Sequence, residues 1–208
     1  MLRSYAARGF LLLHRCSILP RIPMSEKCQS ARCAPSYSRR MTPLDITPEF
    51  LVRTTSPIGR IQLTSDGTAV TGLLIERDGS LPLDHLPEAP TPVLDVAVTQ
   101  LAEYFAGTRR DFDVPVALNG TPFQLSVWSE LSSLGWGEVA SYGDIGNATG
   151  RPTAGRAVGG AVGANPIPII VPCHRVLAAN GRITGYSAGA GIPTKVWLLE
   201  HENIPHSV

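Results

Sequence analysis

The chain has 208 residues, 43% of them hydrophobic, enough to enclose one or two compact cores. Its formal net charge of +1 hides an imbalance, because residues 1–40 carry eight Lys/Arg and one Asp/Glu whereas residues 41–208 carry ten and sixteen. That balance excludes a strongly basic nucleic-acid binder, and the cysteine positions (Cys16, Cys28, Cys33 and Cys173) leave the body one thiol, so it has no internal disulfide and suits a reducing compartment.

Residues 1–46 read as a basic leader. The segment is rich in Arg and Ser with Glu26 as the only acid among its first forty residues, the composition of an organelle transit peptide. The plainer alternative is a start placed too far upstream, with the functional chain beginning near Met24 or Met41. Its apolar stretch, Phe10 to Leu13, is too short to span a bilayer, and no membrane association is expected. Cys28 and Cys33 lie near one another, but their spacing is loose and no His pair follows, which argues against zinc. The compartment expected for the body is a bacterial-type cytoplasm, with organelle targeting if the leader is real.

Residues 47–118 predict a small sheet and a helix. From Phe50 to Arg77, short β-rich runs break at Pro57-Ile58-Gly59 and Ser65-Asp66-Gly67, the turn chemistry of antiparallel hairpins. A Pro-rich loop, Leu81 to Pro92, follows. Val93, Val96, Ala97, Leu101 and Phe105 then recur at helical spacing until Gly107 ends the helix.

Residues 119–208 change character. Thr121, Pro122 and Gln124 form a capping box with proline at the first helical position, predicting a helix to about Leu134 with Phe123, Val127 and Leu131 on one face. Ser141 and Asp144 repeat the signal for a short helix, which Gly150-Arg151-Pro152 breaks before a segment from Thr153 to Val162. Two short helices around a tight turn suggest a helix-turn-helix. The second carries Gly155, Gly159 and Gly160, each costing about 1 kcal/mol relative to Ala, so something other than helix stability favours small residues there. Tight helix packing is one account; close approach to a DNA groove, with Arg156 as the one long projection, is the other.

The stretch Asn165 to Val176 reads as a buried-type strand bracketed by prolines that delivers Cys173 beside His174 and Arg175. A thiol attacks as thiolate, and His174 or a nearby cation can lower its pKa below about 8.5. A lone Cys in an apolar run is otherwise an inert core residue.

The pentapeptide Pro172-Cys173-His174-Arg175-Val176 resembles the active-site motif of the O6-alkylguanine-DNA alkyltransferases, the methylated-DNA–protein-cysteine methyltransferases. The resemblance continues through Gly120-Thr121-Pro122-Phe123-Gln124, Ser141-Tyr142, Arg156-Ala157-Val158-Gly159, Asn165-Pro166, Gly185-Tyr186-Ser187 and Trp197-Leu198-Leu199-Glu200-His201-Glu202, covering roughly residues 50 to 203 in order. It implies an α/β (α+β) fold, with a sheet-and-helix N-terminal part and a mostly helical C-terminal part, and a single irreversible transfer of an alkyl group from O6-alkylguanine in DNA to Cys173. O4-alkylthymine is a second lesion left open.

By the same resemblance, His174 deprotonates Cys173 through a water, Glu202 orients the His, and Asn165 braces the turn. Tyr142 and Ser187 bond the guanine, Tyr186 adds to the pocket, and Val176 offers its carbonyl to the exocyclic amine. Arg156 fills the gap left by an extruded nucleotide, Tyr142 helps rotate the phosphate, and Thr153, Ala154 and Gly155 lie at the minor groove. The implied partner is double-stranded DNA carrying the lesion, bound by a monomer without metal or cofactor.

Residues 121–208 nevertheless hold five Lys/Arg against five Asp/Glu, and Gly163-Ala164 puts no basic side chain before Asn165. The expectation is few phosphate contacts and a shallow dependence of affinity on salt. The loop from Ser187 to Lys195 departs from the family pattern by two extra residues, which leaves pocket width open. Three rival classes fit parts of the sequence: a turning-over thiol hydrolase, a non-enzymatic lesion binder, in whose relatives the acceptor Cys is commonly Trp, and a helix-turn-helix regulator.

Overall fold

The computed structural model describes residues 48–208. The expected leader and its three cysteines lie outside the described residues. Three antiparallel strands, β1 (Phe50–Thr54), β2 (Ile61–Ser65) and β3 (Val70–Ile75), form a sheet in that order, with a bulge between Thr64 and Ser65. The predicted turns supply the reversals: Gly59 and Gly67 both take positive φ, which glycine adopts without a Cβ penalty. The central strand is covered on both faces, so Ile61, Gln62 and Leu63 are all inaccessible to solvent.

Helix α1 (Pro92–Phe105) starts on a Thr91 cap and buries Leu94, Ala97, Gln100, Leu101 and Tyr104. The predicted face is therefore rotated. Ala97 and Leu101 point inward, but Val96 is exposed and Leu94 and Tyr104 complete the buried stripe, because the sheet and the aromatic cluster around Tyr104 decide the orientation. Beyond α1 the chain returns to the sheet, where Val70 donates its N–H to Pro115 and accepts from Ala117.

Helix α2 (Pro122–Ser132) opens on the predicted capping box, with Thr121 and Gln124 bonding each other's backbone. It buries Val127, Trp128 and Leu131, and the Trp128 indole donates to Ala161 O at 2.8 Å. After the short strand β4 (Ala140–Ser141), α3 (Tyr142–Ala148) opens on the second capping box, Ser141 with Asp144. Helix α4 spans Gly155–Gly163 rather than beginning at Thr153; Thr153 and Ala154 precede it, and Ala154 makes no side-chain cap. Gly146 fixes the tight turn between the two helices, since a Cβ there would lie 3.0 Å from the Arg151 carbonyl.

The predicted strand from Asn165 is the main departure. It folds instead as a turn: Asn165 donates its side-chain amide to Val171 O at 2.7 Å and accepts from Ile167 N at 3.1 Å, and Ile169 takes φ +75°. Prolines at 168 and 172 lack N–H groups for a ladder, so the side chain of Asn165 takes over the hydrogen bonding that a strand would have needed. Cys173–Arg175 form one turn of 3₁₀ helix, and only Val176–Leu177 (β5) is strand, pairing in parallel with β4. The sheet grips this turn from the other side, with Leu73 N donating to Pro166 O at 2.9 Å. Helix α5 (Ile192–His201) closes the fold and leads into Glu202. No helix among the described residues is long and apolar enough to cross a membrane.

The glycines of α4 test the two accounts of its composition. A Cβ added at Gly155, Gly160 or Gly163 would meet nothing within 4 Å, and one at Gly159 would make ordinary contact with the Tyr142 ring at 3.8 Å. Internal packing therefore does not require them, and Gly155 and Gly160 stand on the exposed side of the helix. Substituting Gly160→Ala is expected to stabilise the free protein by about 0.5–1 kcal/mol, read as a rise in urea midpoint at constant slope. A fall would mean that this face is packed after all.

Candidate active site

Cys173 is buried at the wall of a cavity of ≈ 440 Å³ whose lining includes Tyr142, Gly155, Arg156, Tyr186, Ser187 and Lys195. Helices α3 and α4, the 3₁₀ turn bearing Cys173, the loop at 184–187 and α5 each contribute to it. Thr153, Ala154, Val176, Asn165, His174 and Glu202 do not line it; His174 is part of the thiol's own turn, Glu202 bonds that turn's side chains, and Asn165 bonds the Val171 carbonyl just before it.

The centre of that turn is an anion. Glu202, 1% exposed, accepts from His174 Nε2 at 2.9 Å, from Arg175 Nε at 2.7 Å and Nη2 at 2.8 Å, and from the Tyr104 hydroxyl at 2.8 Å. Burial pushes the carboxyl up, but the bonds from His174 and Arg175 outweigh it and hold its pKa at about 2. Arg175 also donates through Nη1 to Leu134 O at 2.5 Å, so the guanidinium ties the turn to the end of α2. Tyr104 reaches the same carboxylate from α1, and its ring sits among Phe105, Phe112, Trp136 and His201. Burial, then the charge of Glu202, keep its hydroxyl protonated and donating.

His174 is fully buried, and burial lowers its pKa against the opposing pull of Glu202. The ring is thus neutral near pH 7, its Nε2–H directed at Glu202, which leaves Nδ1 as the accepting nitrogen; Nδ1 has no protein partner among the described residues. Cys173 departs from expectation. Burial pushes its thiol up, above rather than below the ordinary value, and the Asn165 amide, the Lys195 charge and the Tyr186 hydroxyl only partly offset this. A resting thiol that needs a base is the consequence.

Lys195 was not singled out from the sequence. It is 1% exposed, donates to Val176 O at 2.6 Å and toward Gly185 O at 3.5 Å, and burial lowers its pKa to about 8, with Cys173 pulling it back up. The Val176 carbonyl assigned to an exocyclic amine is thus already bonded once, and its second lone pair remains. Tyr142 accepts from Thr184 Oγ1 at 3.1 Å, which leaves its own O–H to donate. Ser187 gives its proton to Gly163 O at 2.8 Å and keeps its lone pairs. Arg156 is exposed, with no side-chain hydrogen bond or ion pair among the described residues. No group of His, Cys, Asp and Glu among them could hold a metal.

Two family models divide the chain: the ribonuclease-like domain of 6-O-methylguanine DNA methyltransferase matches residues 53–118, and the DNA-binding domain of the same family matches residues 122–204. The methylated-DNA–protein-cysteine methyltransferase of Mycobacterium tuberculosis is 47% identical over 148 residues, 71% of this chain and 88% of its own length. The chain belongs to this family. The constitutive methyltransferase of Bacillus subtilis is 40% identical over 155 residues, 73% of this chain and 93% of its own. Among solved structures, Mycobacterium tuberculosis OGT in complex with DNA superposes with TM-score 0.66 at 45% identity, over 74% of this chain and 92% of that one. The sheet-then-helices order expected for a methyltransferase of this family is the order observed.

Glu202 makes the fold of this methyltransferase sensitive to acid. Its folded pKa of about 2 lies below the ordinary 4.5, so between those values the unfolded chain binds more protons and stability falls as pH falls. His174, held neutral by burial, adds a loss of the same sign below its ordinary value of 6.5. Glu202→Gln should lower stability at neutral pH and flatten the decline of the urea midpoint from about pH 4.5 toward about pH 3, because the other carboxylates titrate alike in both proteins. An unchanged slope would remove Glu202 from the centre of the network.

Proposed function

We propose that this chain repairs double-stranded DNA by direct reversal, taking the alkyl group of O6-alkylguanine onto Cys173 once and irreversibly. The observation that carries the reading is the placement of the body's single cysteine at the wall of a cavity lined by Tyr142, Arg156, Tyr186 and Ser187, beside a buried His174–Glu202 pair. The cavity volume falls in the range of small-ligand pockets, about 300–1,000 Å³.

Each atom in the step has a destination. The Cys173 proton passes through a water to His174 Nδ1, and Glu202 stabilises the imidazolium that forms. The thiolate sulfur bonds the alkyl carbon as that carbon's bond to O6 breaks. The electron pair stays on guanine, where the Tyr142 hydroxyl hydrogen-bonds the departing base, and the proton lent to His174 passes through water to that base, leaving guanine and imidazole both neutral. Oxygen–carbon is exchanged for sulfur–carbon without net oxidation, so the reaction calls for no redox cofactor. The thioether has no leaving group, which makes the protein a stoichiometric reagent.

Reaching O6 requires extrusion of the nucleotide, at a cost of a few kcal/mol that a damaged pair reduces. The exposed, nearly bare face of α4 suits close approach to a minor groove, and Arg156 at the cavity rim suits the vacated place in the stack. A monomer suffices for all of this, and an unpaired acceptor thiol suits a reducing, cytoplasm-like compartment.

Intact-protein mass spectrometry after incubation with a duplex bearing O6-methylguanine should show a gain of one methylene, mapping to Cys173, saturating at one per chain and absent from Cys173→Ala. Lesion binding without a mass change would favour a non-enzymatic binder. Loss of the lesion from an unmodified protein would mean turnover.

A further inference from the structure

The cavity wall formed by Gly185, Tyr186 and Ser187 has little backbone support. Among the described residues, no backbone–backbone hydrogen bond involves residues 184–187, and the first backbone bond of the following loop is Gly191 N to Ala188 O at 3.0 Å. Side chains hold this wall instead. On the α4 side, Ser187 Oγ donates to Gly163 O at 2.8 Å; from below, Lys195 points at Gly185 O. The third hold comes from the N-terminal sheet, 110 and 112 residues away in sequence: Arg77, just past the end of β3, donates through Nη2 to Ser187 O at 2.9 Å and through Nε to Gly189 O at 2.7 Å.

The loop crest is pressed onto the same edge of the sheet. Gly189 is buried with φ +54°, and a Cβ there would lie 2.7 Å from Thr194 Oγ1 and 3.0 Å from Ile75 Cγ2. Ala190 N donates to that same Thr194 hydroxyl at 2.9 Å. Resting on the alkyl-transfer reading above, we infer that Arg77 is a specificity-determining positioning residue: its two-point bond to the Ser187 and Gly189 carbonyls latches the 185–191 loop to the sheet and sets the width of the alkyl pocket. A planar guanidinium can hold two carbonyls in fixed relation, which a point-charge ammonium cannot do as well. With the latch closed, the pocket favours small alkyl groups. Released, the glycine-rich loop can yield to a bulky one.

The test is the ratio of single-turnover rate constants for duplexes carrying O6-benzylguanine and O6-methylguanine. Arg77→Ala should raise the benzyl-to-methyl ratio at least fivefold, and Arg77→Lys should fall between it and the wild type. A merely structural role would reduce the active fraction equally for both substrates, so an unchanged ratio in Arg77→Ala overturns the inference while leaving the transfer reading intact. Failure of the wild type to accept either alkyl group would instead overturn the transfer reading, and this inference with it.

Discussion

The buried carboxylate of Glu202 organises the site. A charge taken out of water costs several kcal/mol unless its partners replace the lost solvation, and here three side chains do so at once: His174 and Arg175 from the turn bearing Cys173 and Tyr104 from α1. Because α5 delivers Glu202 and the guanidinium of Arg175 also holds Leu134 O, one anion locks together the sheet-side helix, the end of α2, the thiol-bearing turn and the last helix. Removing any donor would leave the others to carry a buried charge, so these parts of the fold are held to one arrangement.

That arrangement sets the chemistry of the thiol. Burial raises the pKa of Cys173 and lowers that of His174, so both groups rest neutral, the thiol with its proton and the imidazole without one. Neither is reactive alone. Moving one proton between them creates an ion pair, and the environment already holds groups that favour each ion: Lys195, Asn165 and Tyr186 for the thiolate, Glu202 for the imidazolium. The charged state is costly at rest, and under the proposed transfer it is reached when the electrophile is at hand.

What the sequence showed and what it hid divide along the distance over which the deciding bonds act. Thr121 with Gln124 and Ser141 with Asp144 cap their helices through bonds three residues apart, so both helix starts were legible, as were the hairpin turns at Gly59 and Gly67. The run from Asn165 was misread as strand because alternate apolar residues and prolines fit either a buried strand or a turn, and the Asn165 bond to Val171 O decided it. The motif resemblance singled out Cys173, His174, Glu202 and Asn165, which lie around one turn, but Tyr104, 98 residues from its partner, and Lys195, whose sequence surroundings look like an ordinary helix, carried no local signal. The rotated face of α1 has the same origin: Val96 has the right spacing, but Tyr104 must face Glu202.

The most direct test of this account is the rate of methyl transfer by Glu202→Gln per folded molecule, measured in a single turnover against the wild type. If the carboxylate both holds the turn and stabilises the imidazolium, the rate should fall by at least about tenfold at neutral pH, with the adduct still on Cys173. An undiminished rate would show that Glu202 serves folding alone and that the thiol is activated by other means.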